Sequence, residues 1–84
     1  MEIYIGNLSH KVAKEDVEEL FRKYGQISGI IFPLDRKTNF HRGFAMVEME
    51  NDTEAKLAID KLNGSYFFGR QIIVVQGRGR GEIV

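Results

Sequence analysis

Residues 43–50 read GFAMVEME, and residues 2–8 read EIYIGNL. Both stretches alternate. In the first, Ala45, Val47 and Met49 point one way and Phe44, Met46 and Glu48 the other; in the second, Ile3 and Ile5 lie opposite Glu2 and Tyr4. Period-two patterning in segments rich in β-branched and aromatic residues marks strands buried on one face only. Outward from these two, residues 27–34 (ISGIIFPL) form another strand, which ends or sits at an edge near Pro33, because proline has no amide donor for a ladder. Residues 71–76 (QIIVVQ) form a fourth.

Between the strands the period changes. Over residues 13–24 the apolar side chains fall at Val17, Leu20, Phe21 and Tyr24, the i, i+3, i+4, i+7 spacing of one helix face. Gly25 stands where a left-handed residue stops a helix. Ala13 begins the helix without a capping oxygen, a deficit of about 1 kcal/mol. Over residues 51–63, Ala55, Ala58, Ile59 and Leu62 line one face, with Asn51 or Asp52 as cap and Gly64 as terminator. Residues 35–42 are a polar loop in which Asn39 suits a positive φ. The predicted order is βαββαβ, an α+β ferredoxin-like sandwich with two helices on one face of a four-stranded antiparallel sheet. The other sheet face is left free.

The 84 residues suit one domain, here residues 1–77, followed by a flexible Gly/Arg tail at 78–84. There is no cysteine, which removes disulfides, thiolate zinc sites and thiol nucleophiles together. No charged-then-apolar leader and no bilayer-length apolar run is visible, so we expect a cytoplasmic protein with no membrane partner. His10 and His41 sit in different loops with no carboxylate pair to work with, and no hydroxyl has an evident base. GRGRG at 77–81 precedes no helix and is not a phosphate loop. The expectation is no enzyme activity, no cofactor and no metal.

IYIGNL at 3–8 resembles the hexamer motif of the RNA-recognition-motif family, and RGFAMVEM at 42–49 resembles its octamer, matching at Arg42, Gly43, Phe44, Ala45 and Val47 and departing at Met46 and Met49. Asp35-Arg36, Leu62-Asn63-Gly64 and Gly69-Arg70 fit the same pattern, so that the resemblance covers residues 2–77 and is closest to small bacterial single-domain members with a glycine–arginine tail. It implies binding of short single-stranded RNA, with single-stranded DNA as an alternative ligand, by stacking of bases on rings of the free sheet face.

The resemblance implies roles for particular residues. Tyr4 and Phe44, out of phase with the core positions, are the stacking rings, while Phe21, Tyr24, Phe32 and Phe67 belong to the core. Met46 occupies a slot where a third ring often stands and offers polarizable cover instead. Arg42 reaches a phosphate or base edge, Asn7 of the hexamer binds RNA, Arg36 and Lys37 touch phosphate, and Gln76 and Arg78 leave the last strand where contacts to bases are made. Phe40 and His41 either fold over a bound strand or remain an ordinary loop. Two stacked bases contribute roughly 2–6 kcal/mol, whereas micromolar affinity needs about 8 kcal/mol. Phosphate contacts must supply the difference, so the reading implies salt-sensitive binding of about two to four nucleotides, in the service of RNA chaperoning or post-transcriptional regulation.

Twelve basic and twelve acidic residues cancel, which counts against a polyanion partner until their distribution is considered. Acidic residues gather at 15–19 and 48–54, basic ones at 36–42 and 70–80, and a local positive field steers a polyanion even when the sum vanishes. A competing function comes from Ile31, Pro33, Ile73 and Val75, which by parity join Tyr4, Phe44 and Met46 on the free face. A contiguous apolar patch also suits a protein partner or weak homo-oligomer.

Overall fold

Alternation on the first strand decides which side of the sheet receives the helices. In a computed structural model, which describes residues 1–34, 37 and 43–77, Ile3 and Ile5 are completely buried while Tyr4 between them is partly exposed. The elements are β1 (Glu2–Gly6), α1 (Lys14–Arg22), β2 (Gly29–Ile31), β3 (Ala45–Glu48), α2 (Asp52–Leu62), β4 (Tyr66–Phe67), β5 (Arg70–Gln71) and β6 (Ile73–Gln76). Strands β2, β3, β1 and β6 form one antiparallel sheet in that spatial order, so β1 and β3 are its middle strands. Ile3 pairs with Val47 and Ile5 with Ala45. These four, with Met49 and Val74, meet Val17 and Phe21 of α1 and Ala55, Ala58 and Leu62 of α2 in one core. This is the ferredoxin-like βαββαβ sandwich expected, with a small hairpin added before its last strand.

Several boundaries differ from the sequence expectation. β2 is three residues long and lies at the sheet edge, consistent with the missing donor of Pro33. α1 stops at Arg22, and Lys23 caps it in the right-handed region. Gly25 is not left-handed; among the described glycines, positive φ falls at Gly43, Gly64 and Gly69. Gly25 makes room instead: a Cβ there would lie 2.8 Å from Cβ of Glu54, whose carboxylate accepts a bond from the Gln26 amide at 3.4 Å.

The hairpin was absent from the sequence expectation. β4 and β5 pair Tyr66 with Gln71 and Phe67 with Arg70, turning through Phe68 (φ 53) and Gly69 (φ 81). Positive φ at both central residues is the type I′ arrangement, which favours Asn-Gly. A bulky phenylalanine in the first position hid it.

Helix starts show what a cap supplies. At α2, Asn51 Oδ1 accepts the Glu54 amide at 2.9 Å. At α1, Ala13 has the extended backbone of a cap (φ −99, ψ 165) but no side-chain acceptor. Only the reciprocal bond exists, from the Ala13 amide to Asp16 Oδ2 at 2.8 Å. Ala13→Ser therefore adds a side-chain acceptor for the Asp16 amide, which bonds the Ala13 carbonyl at 3.0 Å, and is expected to stabilise the fold by up to about 1 kcal/mol, seen as a higher urea midpoint at unchanged m-value.

Candidate functional site

The outer face of the sheet is read from register, because cross-strand partners share a face. Ile31, Met46, Tyr4 and Val75 form one row across β2, β3, β1 and β6. On one side of this row lie Gly6, paired with Ile73, and Phe44, which precedes β3. On the other side lie Gly29, Glu48 and Glu2.

Tyr4 and Phe44 stand together. Their ring centroids are 6.1 Å apart with planes 25° from parallel, and neither joins the core beneath the helices. Gly6 allows this. The Tyr4 ring folds back along the strand, so that a Cβ on Gly6 would sit 2.9 Å from its Cε1 and Oη atoms. Gly43 contributes at the other strand. Its positive φ of 89 turns the chain just before Phe44, while its carbonyl accepts the Leu8 amide at 3.0 Å.

Met46 shares the outer face but is only 6% exposed. Its side chain crosses the sheet toward the end of β6, where a Cβ on Gly77 would lie 3.0 Å from its methyl carbon and 3.4 Å from Cβ of Glu2. Met46, expected to cover a base, lies flat among its neighbours as part of the floor and offers little surface of its own.

Two further residues differ from expectation. Gln76 is exposed, yet it pairs with Ile3. It therefore projects from the opposite face to Tyr4, and Val75 holds the outward position. Asn7 is engaged within the protein at both ends of its amide. Its Nδ2 donates to the Gln71 carbonyl at 2.7 Å, and its Oδ1 accepts a bond from the Arg70 guanidinium. Lys37 is exposed in the connection between β2 and β3. Arg36, Arg42 and Arg78, together with Phe40 and His41, lie outside the described residues.

The face is polarised. Glu2 and Glu48 are direct cross-strand partners, a like-charge pairing that disfavours phosphate at that end. Beside them Ile31, Met46 and Gly29 help to line a cavity of about 240 Å³. Arg70 lies at the other end of β1, next to Asn7. Ile31, Ile73 and Val75 are 50%, 49% and 40% exposed, so the rings sit within an apolar surround. Among the described residues no group of three or more His, Asp or Glu is arranged to hold a metal ion, and no helix is long and apolar enough to cross a membrane.

Sequence parity had set Glu2 beside Tyr4 and Glu48 beside Met46, but the opposition of the two carboxylates needed the register. The bond between Asn7 and Arg70, 63 residues apart in the chain, left no local trace.

An antiparallel sheet with both helices on one face, and two adjacent rings on the other, defines the class of small open-faced α+β sandwiches. The family model of the RNA recognition motif matches residues 3–73, and the chain belongs to that family. It is 45% identical over 82 residues to "Putative RNA-binding protein RbpF" of Nostoc sp. (strain PCC 7120 / SAG 25.82 / UTEX 2576), covering 98% of this chain and 78% of that one. Among solved structures it is similar to RNA Binding Protein PG1, with TM-score 0.90 and 40% identity over 95% of this chain and 96% of the other. It also resembles the protein of the Sxl-lethal protein/RNA complex, with TM-score 0.88 and 26% identity over 96% of this chain and 48% of the other.

Gly6→Ala tests how the rings are held. The backbone accepts alanine, but the new methyl must lift the Tyr4 ring. Nuclear Overhauser contacts between the Tyr4 and Phe44 rings are expected to disappear while amide shifts in α1 and α2 stay in place.

Proposed function

We propose that this protein binds short single-stranded RNA on the outer face of its sheet, with Tyr4 and Phe44 as stacking platforms. The observation that carries the reading is the near-parallel pair of rings, 6.1 Å apart on the two middle strands and outside the core. Unpaired bases have flat faces that such rings accept whatever the sequence. Family membership supports the same reading. So do the name carried by the Nostoc relative and the solution of a similar fold as a protein/RNA complex.

In this proposal Met46 supports the rings from below, Arg36, Lys37 and Arg42 supply phosphate contacts, and Arg78, which follows Gly77 in the chain, contacts a base. The carboxylates of Glu2 and Glu48 keep the phosphate chain away from their end, so the backbone of the bound strand runs toward the opposite end of β1. A second reading, self-association through the same face, is favoured by the exposure of Ile31, Ile73 and Val75. It predicts shifts at those residues as protein concentration alone rises.

The Tyr4→Ala, Phe44→Ala double variant tests the first reading. It should keep its circular dichroism spectrum and lose affinity for a mixed-sequence single-stranded RNA by at least roughly thirtyfold, since stacking contributes about 1–3 kcal/mol per base. The wild-type affinity should fall steadily with rising salt. Unchanged binding by the folded double variant removes the stacking mechanism. A parallel titration with single-stranded DNA of the same sequence shows whether the 2′-hydroxyl is read.

A further inference from the structure

Asn7 is held at φ 59, a left-handed conformation that glycine adopts more readily and that asparagine tolerates. Glycine would ease the backbone, so the amide must be useful there. One of its ends ties the hairpin to the sheet through the Gln71 carbonyl. The other accepts from Nη2 of Arg70. This second bond spans exposed side chains, and among the described residues no carboxylate lies within ion-pair distance of Arg70. Among the described residues the guanidinium is thus fixed by a neutral amide oxygen that does not cancel its charge.

The position of that charge is informative. Asn7 directly follows Gly6, over which the Tyr4 ring lies, and Gly6 pairs with Ile73. Arg70 therefore stands at the end of β1 away from Glu2 and Glu48, a separation of about 13 Å along the strand. Guanidinium groups match phosphate oxygens with parallel N–H donors, and fixing the plane beforehand lowers the entropy lost on binding.

Resting on the RNA reading above, we propose that Arg70 is a phosphate-binding residue of this interface and that Asn7 is its positioning residue, which does not itself touch the nucleic acid. Arg70 then marks the end where the phosphate chain is held, and the Glu2–Glu48 pair marks the end it avoids.

The test is a double-mutant cycle read by anisotropy of a labelled, mixed-sequence single-stranded RNA at several salt concentrations. Arg70 is exposed, so Arg70→Ala should fold normally. It is expected to weaken binding about tenfold at low salt and to reduce the slope of log affinity against log salt by about 0.7. Arg70→Lys should restore the slope but only part of the affinity. Asn7→Gly, checked for folding by circular dichroism, should weaken binding in the wild-type background and have no further effect in the Arg70→Ala background. An unchanged affinity and slope for Arg70→Ala overturns the proposal. So does an Asn7→Gly loss of equal size in both backgrounds, because Asn7 would then contact RNA directly. If Tyr4→Ala with Phe44→Ala abolishes binding while Arg70→Ala does not weaken it, this inference alone fails. If the wild-type protein binds no RNA at low salt, the functional reading fails with it.

Discussion

The in-register pairing of β1 with β3 is the constraint on which the rest depends. Ile3 opposite Val47 and Ile5 opposite Ala45 are all fully buried, and their removal from water against Val17, Phe21, Ala55 and Ala58 is what docks the helices. Because side chains alternate strictly, a slip of one residue would carry the apolar set into solvent and bring Tyr4 under the helices. The same hydrophobic requirement that builds the core therefore places the rings on the outside. Core and interface are two faces of one register.

What makes the outer face usable is less visible. Tyr4 can lie down only because Gly6 has no side chain, and Phe44 emerges where Gly43 turns the chain through a positive φ. Met46 fills the row between β2 and β1 without standing above it. A larger ring there would compete with Tyr4 for the same width of sheet, whereas an unbranched thioether lies flat. The face therefore carries two exposed rings and not three.

Electrostatics then give the face a direction. Equal numbers of acidic and basic residues would leave a uniformly mixed surface indifferent to a polyanion. Here β1 begins beside two opposed carboxylates and ends beside a guanidinium held by an asparagine amide. A field of this kind orients a charged chain even when the net charge is zero.

Local chemistry made much of this legible in the sequence. Alternation at 2–8 and 43–50 identified two strands half-buried on one face, the family resemblance placed them in the middle of the sheet, spacing of three and four identified the helix faces, and parity separated Tyr4 and Phe44 from Ile3, Ile5, Ala45 and Val47. Asn51 was readable as a cap because capping is local. Most of the failures depend on a partner distant in the chain, whereas the hairpin turn was hidden locally by the phenylalanine at its first central position. Gly25 looked like a helix stop, but its role is to leave space for Glu54. Phe68 concealed a turn whose hairpin is anchored by Asn7 and closed by pairing of Phe67 with Arg70. Gln76 could be assigned to a face only after Ile3 was known to be its partner. The sequence by itself determined the order of elements and which side of each strand is apolar, because those follow from periodicity along the chain. Only the tertiary structure decided which side chains share a row, how far Met46 is covered and what Asn7 holds, because these depend on register and on contacts across dozens of residues that no local pattern encodes.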